Sequence, residues 1–437
     1  MTSRWVGLVV FLLLAVAWTS LSTTGCDPCA SCSTTTKHHH RPTPTPTPAP
    51  GACSGQGLIG LDPVNNVGYV PLRRLDVNEN AQVAVVNLAV GAANPVIKTL
   101  SLMGASTAEA LAYNPVNKTI LAEALLSAGG VGIFEIDATT QTVLNEVNAT
   151  GLDEGRGGVL QDTMHNRAFV AGVTTLGILD TSTSPPVWNA ASVVSTGEVC
   201  SDSLALNISS GLIFYTCDGN SDIFDSTMSP LVPVTFQGAG AFGTSDGVAF
   251  DPTTNIMILG REFEDANTVF NMATLNAAAM PATADNVTVP GLGVGGSQGE
   301  GQGMAAINCT THQGVLADEG GQNVRLIQLP TAGVPGALDN NGQPGTMTTA
   351  DAASAFTIAT TLLPPGPGGD VLITMQGDPN SASVDPKFNF YYAVGNGDGT
   401  QYLIRLDLSA PVLGGSPTGG PSGTTHWNPT VDYILLP

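Results

Sequence analysis

An all-β fold built from repeated antiparallel units is what this chain of 437 residues predicts, and three observations carry the expectation. The first is a pattern that recurs seven times: a short apolar run, an Asp or Asn, three or four turn-forming residues, then a second apolar run. The anchors are Asp62, Asn114, Asp162, Asn207, Asp251, Asn308 and Asp385, spaced 52, 48, 45, 44, 57 and 77 residues apart. The second is composition. With 52 Gly, 30 Pro and only 11% charged residues, the chain suits many short strands joined by turns, whereas surface helices need Lys and Glu. The third is a further strand signal after each anchor hairpin. Several strands per unit, repeated at this length, predict a seven-bladed β-propeller of four-stranded antiparallel blades.

Before the repeats come two segments of a different kind. Residues 1–25 read as a signal peptide: Arg4 supplies a positive start, an uncharged apolar stretch follows, and Ser22-Thr-Thr-Gly25 is a small-residue exit. Fourteen apolar residues are short of the about 20 that a spanning helix needs. The Thr-Thr-Gly25-Cys26 ending resembles a bacterial lipobox, with Cys26 as the lipidated residue; ordinary secretion is the alternative. Residues 26–55 read as a tether, in which Arg41-Pro-Thr-Pro-Thr-Pro-Thr-Pro-Ala-Pro50 forms an extended polyproline-like spacer. Residues 56–437 are then the propeller.

Within each unit the anchor hairpin supplies the inner strand and its neighbour. Asp-Pro or Asn-Pro followed by Val-Asn-Asn, Val-Asn-Lys or Thr-Thr-Asn is turn chemistry, because Pro presets φ and Asn tolerates left-handed backbone. Third strands read as Gln82-Val-Ala-Val-Val-Asn-Leu88, Val131-Gly-Ile-Phe-Glu-Ile-Asp137, Leu176-Gly-Ile-Leu-Asp180 and Ile223-Phe-Asp225 in the first four units. Val269-Phe-Asn-Met272, Val324-Arg-Leu-Ile-Gln-Leu329 and Tyr402-Leu-Ile-Arg-Leu-Asp-Leu408 follow in the rest. Outer strands are expected at residues 96–102, 143–147, 232–236 and 287–292. In the sixth unit, which carries a Gly- and Pro-rich insertion at 330–354, residues 356–363 and 371–375 compete for that place. The last strand, Val431-Asp-Tyr-Ile-Leu-Leu436, either completes the seventh blade or clasps it to the first.

An apolar run, an Asp/Asn-Pro turn, a Tyr-Val-type strand and a strand ending in Ile-Asp resemble the YVTN and lactonase-like propeller repeats of exported bacterial proteins. The resemblance covers residues 56–437 and implies a rigid disc that hosts binding, scaffolding or hydrolysis. Asp162-Thr, Asn207-Ile and Asn308-Cys depart from the pattern by lacking the Pro.

Charge narrows the partners. With 13 basic against 35 acidic residues the formal net charge is −22, which excludes nucleic acid, since phosphate contacts need clustered Lys and Arg. Six acids, Glu109, Glu154, Asp202, Asp246, Glu300 and Asp378, stand five to eight residues before their anchors. In a propeller those places gather at one mouth of the central channel. There they form either a ring for a hard cation such as Ca2+ or merely the solvated loops of an acidic protein.

Of the seven cysteines, Cys200 and Cys217 flank the Asn207 turn and are expected to form a disulfide. Cys26-x-x-Cys29-x-x-Cys32 with His38-His39-His40 is either a metal nest or an unstructured tail. Asp76-Val-Asn78-Glu-Asn80 and Asp218-Gly-Asn220-Ser-Asp222 resemble an EF-hand opening but lack its later Gly and Glu, so they read as surface turns. His165 and His312 sit in anchor turns, and no acid is placed in sequence to orient either as a base. No nucleophile motif is visible. The expected function is therefore a non-catalytic binding or scaffold module, monomeric, exported and lipid-anchored, with an envelope protein or glycan as partner. A metal-dependent lactonase-like hydrolase is the alternative.

Overall fold

The computed structural model describes residues 59–153, 155–196, 203–208, 210–216, 222–227, 231–235, 245–261, 266–276, 283–290, 305–318, 321–329, 357–367, 373–375, 382–410, 412–413 and 425–437. They form strands and turns, and no helix among them is long and apolar enough to cross a membrane. Blade 1 is β1 (Gly60–Asp62), β2 (Val67–Leu72), β3 (Ala81–Asn87) and β4 (Val96–Leu102) in simple meander order. Blade 2 repeats it with β5 (Ala105–Asn114), β6 (Thr119–Leu126), β7 (Val131–Asp137) and β8 (Thr142–Asn148). Blade 3 has β9 (Gly155–Asp162), β10 (Arg167–Gly172), β11 (Thr175–Asp180) and β12 (Val187–Ser195). Blade 4 has β13 (Leu204–Asn207), β14 (Leu212–Tyr215), β15 (Asp222–Asp225) and β16 (Val232–Thr235). Blade 5 has β17 (Ser245–Asp251), β18 (Ile256–Arg261), β19 (Ala266–Asn276) and β20 (Thr283–Pro290).

The last two blades resolve what the sequence left open. Blade 6 is β21 (Ala306–Asn308), β22 (Gln313–Ala317), β23 (Asn323–Gln328) and β24 (Thr357–Leu362), so the first of the two competing segments is its outer strand. The second, β25 (Thr374–Met375), pairs instead with blade 7. Blade 6 is widened by the pair β29 (Val412–Leu413) and β30 (Thr425–Trp427), which joins β24 in parallel. Blade 7 is β26 (Ala382–Asp385), β27 (Phe390–Gly397), β28 (Thr400–Asp407) and β31 (Val431–Leu435). The C-terminal strand therefore completes the seventh blade by pairing with β28. The insertion at 330–354 lies outside the described residues.

All seven first turns are built alike. The anchor is the last residue of the inner strand and is buried in every blade. Four residues on stand Asn66, Lys118, Asn166, Gly211, Asn255, His312 and Asn389, all left-handed with φ between 51° and 72°. Asn and Gly adopt that region at little cost, which is why they dominate the position. The anchor's Oδ1 then accepts amides across the turn: from Val64 and Asn65 on Asp62, from Val116 and Asn117 on Asn114, and from Lys387 and Phe388 on Asp385. Asp162, Asn207, Asp251 and Asn308 do the same. The acceptor satisfies buried amides that the ladder cannot reach.

Strands such as β2 and β7 are apolar on both faces because each blade is packed between two others. On β2, Val67 and Tyr69 pack against blade 2, while Val70 and Leu72 pack against blade 7. The seven apolar clusters correspond to the seven seams, one between each pair of neighbouring blades. At the last seam, as at the others, no described strand pairs across from one blade to the next. Side chains close it instead: Ser383 Oγ donates to Ile59 O, Gln401 Nε2 to Pro71 O, and Arg405 Nη1 to Leu88 O.

Cys200 and Cys217 lie outside the described residues. In blade 3 the places at the same offsets from the anchor are Gly155 and Gly172, and a bulge makes those two direct Cα partners. The ladder β13–β14 pairs Leu204 with Tyr215 through Asn207 with Leu212, the same register as the regular part of β9–β10. Non-reducing peptide mapping is therefore expected to recover the Cys200 and Cys217 peptides joined. Closing a segment of that length stabilises by about 3 kcal/mol in the chain-entropy model. Either cysteine free, or joined elsewhere, would mean that blade 4 lacks the bulge of blade 3. Cys309, buried at the start of the sixth turn, is itself disulfide-bonded to a cysteine outside the described residues.

Candidate functional site

The first turns of all blades lie on one face of the ring, and neighbouring turns are tied together. Lys387 Nζ donates to Pro63 O, Asn117 Nδ2 to Thr181 O, and Asn308 Nδ2 to Asn389 Oδ1. At the tips of four consecutive blades stand exposed apolar side chains: Phe388 (40% exposed), Val64 (72%), Val116 (57%) and Met164 (64%). Blades 4 to 6 carry Ser209, Thr253 and Thr310 at the place of Val64, Val116 and Met164. The anchor carboxylates Asp62, Asp162, Asp251 and Asp385 are buried, whereas Asp137, Asp180, Asp225 and Asp407, at the ends of the third strands on the same face, are partly or fully exposed, as are Lys118 and Lys387. An apolar arc with Lys387 and Lys118 beside its tips thus stands on a chain of net charge −22.

Both histidines of this face have an acidic partner, contrary to the sequence reading. His165 Nδ1 lies 2.7 Å from Asp162 Oδ2, its own anchor, which Arg167 Nε also reaches at 2.9 Å. His312 Nδ1 lies 2.8 Å from Asp251 Oδ2, the anchor of the preceding blade and 61 residues away. Only the ring closure of the repeats brings that second pair together, so no local signal announces it. Thr253 completes a Thr–His–Asp cluster, yet not a nucleophile. Its Oγ1 donates to Asp251 Oδ1 at 2.6 Å and meets the same His312 nitrogen, Nδ1, at 3.4 Å. A triad needs its two partners on opposite ring nitrogens.

The six acids expected at one mouth of the channel can be followed only in part. Glu109 lies on β5 with a partly exposed side chain, and Asp246 lies on β17, its side chain outside the described set. Glu154, Asp202, Glu300 and Asp378 lie outside the described residues, as do Cys26 and the His38-His39-His40 run. Next to Glu109 is an acid the sequence reading missed. Glu123 on β6 is fully buried; the backbone amide of Gly158 is turned toward it, and no side chain hydrogen-bonds either carboxylate oxygen. Burial, with the charge of Glu109 second, holds its carboxyl well above the usual range. Its signal in the sequence is an acid inside the apolar run Thr119-Ile-Leu-Ala-Glu-Ala-Leu-Leu126, where both faces of a strand are packed.

Among the described residues no group of three or more His, Cys, Asp or Glu is arranged to hold a metal ion. Asp76 caps its own surface turn, accepting the amides of Asn78 and Asn80, and those hydrogen bonds hold its carboxyl down at about 2. Asp385 is moved the other way: burial raises its carboxyl, and its Oδ2 has no partner.

No protein-family model matches the sequence, and no curated protein does. Solved structures match its fold. A hypothetical selenium-binding protein from Sulfolobus tokodaii superposes with a TM-score of 0.53 at 11% identity, over 85% of this chain and 91% of that one. Hydrazine synthase from Kuenenia stuttgartiensis gives 0.51 at 12%, over 81% and 95%. A chain of the mitotic checkpoint complex gives 0.51 at 13%, over 79% and 87%. Identities this low establish a shared propeller fold and carry no activity across.

Proposed function

We propose that the chain is an exported propeller, lipid-anchored through Cys26, that acts as a monomeric, non-catalytic binding or scaffold module of the cell envelope. Its docking face is the turn face of blades 7, 1, 2 and 3, and its partner is a protein with an acidic, apolar surface. The observation that carries this reading is the arc of Phe388, Val64, Val116 and Met164 beside Lys387 and Lys118. Isolated apolar side chains at a surface are ordinary, but four on adjacent tips of one rigid ring form a patch of the kind interfaces use. Exposed Lys on an otherwise acidic chain favours an acidic partner by charge complementarity.

The test uses full-length chain against an envelope extract. A fourfold variant, Val64→Ser, Val116→Thr, Met164→Thr and Phe388→Ser, introduces side chains of the kind blades 4 to 6 already carry, so the fold is kept. A control variant, Val77→Ser with Met103→Ser, alters two exposed residues in the loops that lie on the other face. Captured material should be lost with the first variant and kept with the second. Equal capture by both, or capture that survives protease treatment of the extract, would overturn a protein partner on this face.

The second reading, a lactonase-like hydrolase with a channel metal, rests on Glu109 at the mouth together with the acids that share its offset. Ca2+-dependent turnover of lactones, abolished in Glu109→Gln, would favour it over the scaffold.

A further inference from the structure

Glu123 is out of keeping with its place in the repeat. It stands nine residues after its anchor, on the second strand of blade 2, where the other blades carry Pro71, Ala171, Thr216, Gly260, Ala317 and Val394. Its side chain shares a strand face with Leu121, between blades 2 and 3, in a cluster that includes Ala110, Ile133, Val159 and Val170. A buried carboxyl facing no more than one backbone amide is expensive, and natural structures keep one only for a reason.

The surroundings are shaped to the same point. On β5 the ladder passes from Ala108↔Ala124 to Leu111↔Ala122, so a bulge leaves Glu109 and Ala110 together opposite Glu123. Bulges re-aim side chains and take main-chain groups out of the ladder. Across the seam, Gly158 on β9 has φ +102°, and a Cβ there would come within 3.9 Å of Ala110 Cβ. Its backbone amide is turned toward Glu123. Glu135, the other acid on this face of β7, is already engaged by Asn145 and Ser184, and no described cation pairs with Glu123.

We propose that Glu123 and Glu109 together hold a hard divalent cation of the Ca2+ class in the seam between blades 2 and 3, with main-chain carbonyls at the bulge completing its oxygen shell. Two carboxylates balance the charge of one such ion, and Ca2+ accepts about six to eight oxygens in irregular arrangements where Mg2+ requires a near-regular octahedron. Glu109, partly exposed in the middle of β5, gives the ion a way in from solvent. The site is independent of what the turn face binds.

Calorimetric titration of Ca2+ into the full-length chain, with Mg2+ for comparison and thermal unfolding in parallel, tests it. Wild type should bind Ca2+ in preference to Mg2+ and melt at a higher temperature with it. Glu123→Ala should weaken binding by about tenfold or more, since even outer partners of a metal ligand carry that much. It should also melt without Ca2+ at or above the wild-type temperature, because alanine is the natural residue in blades 3 and 6. Should Glu123→Ala fail to fold, Glu109→Gln at the partly exposed position carries the same binding test. A wild type indifferent to Ca2+, or variants that bind it as wild type does, would overturn the site.

Discussion

Asp251→Ala is expected to lower the unfolding free energy by about 3 kcal/mol, the range for stripping a buried polar group of several partners. The fully buried carboxylate accepts the Thr253 amide at 2.8 Å, Thr253 Oγ1 at 2.6 Å and His312 Nδ1 at 2.8 Å. Alanine would leave a turn amide unsatisfied and cut the fifth blade's tie to the sixth. Asp251→Asn keeps the turn acceptor, and Asn serves natively at the anchors of blades 2, 4 and 6, so it should cost about 1 kcal/mol. Urea denaturation separates the two. Equal midpoints for the Ala and Asn variants would show that the turn does not depend on that oxygen.

Arg405→Ala is the second large effect, about 2–4 kcal/mol. The guanidinium is buried on β28, donates to Leu88 O at 2.7 Å across the last seam, and reaches Asp432 Oδ2 at 3.1 and 2.6 Å through Nε and Nη2. Two contributions compete here. The Asp432 side chain is 42% exposed, so solvent screens that pair to about 1 kcal/mol or less. Leu88 is buried, and its orphaned carbonyl would carry most of the loss. Asp432→Asn should therefore destabilise far less than Arg405→Ala, and Arg405→Lys should recover only part, lacking the planar fork. If Asp432→Asn matched Arg405→Ala, the ion pair inside blade 7, and not the Leu88 carbonyl across the seam, would carry the loss.

Where the chemistry is local, the sequence was readable. Each anchor and its left-handed partner lie four residues apart, so Asp62 with Asn66 or Asp251 with Asn255 announces a turn by itself. Apolar runs such as Val131-Gly-Ile-Phe-Glu-Ile-Asp137 placed third strands to within a residue or two, except in blade 5, where β19 runs three residues before and four beyond Val269–Met272. The segment 356–363 could not be separated from 371–375, because both are short, apolar and flanked by Gly and Pro; pairing with β23 decides, and pairing is non-local. The site was less legible for the same reason. His312 meets Asp251 only once blade 6 lies beside blade 5. Val64, Val116 and Met164 each look like an ordinary turn residue until the repeat sets them side by side. Glu123 could be noticed as an acid in an apolar strand, but its neighbour Glu109 is brought to it by a bulge that no residue pattern marks.

The seam between blades 7 and 1 is joined by side chains alone, and the chain must search for it over a long distance. Leu88 and Arg405 are 317 residues apart, whereas neighbouring anchors elsewhere are separated by as few as 44. With loop-closure entropy growing as (3/2)RT ln n, the final closure is about 2 kcal/mol less favourable than a join between adjacent blades. Like the other seams it has no β-ladder among the described residues, so apolar packing and side-chain hydrogen bonds must offset the difference. Closing the circle is thus entropically the least favourable of the seven joins, and its loss would leave an open crescent of seven blades. Any partner that bridges Phe388 and Val64 spans that gap, and would act as a clasp on the ring as well as a cargo upon it.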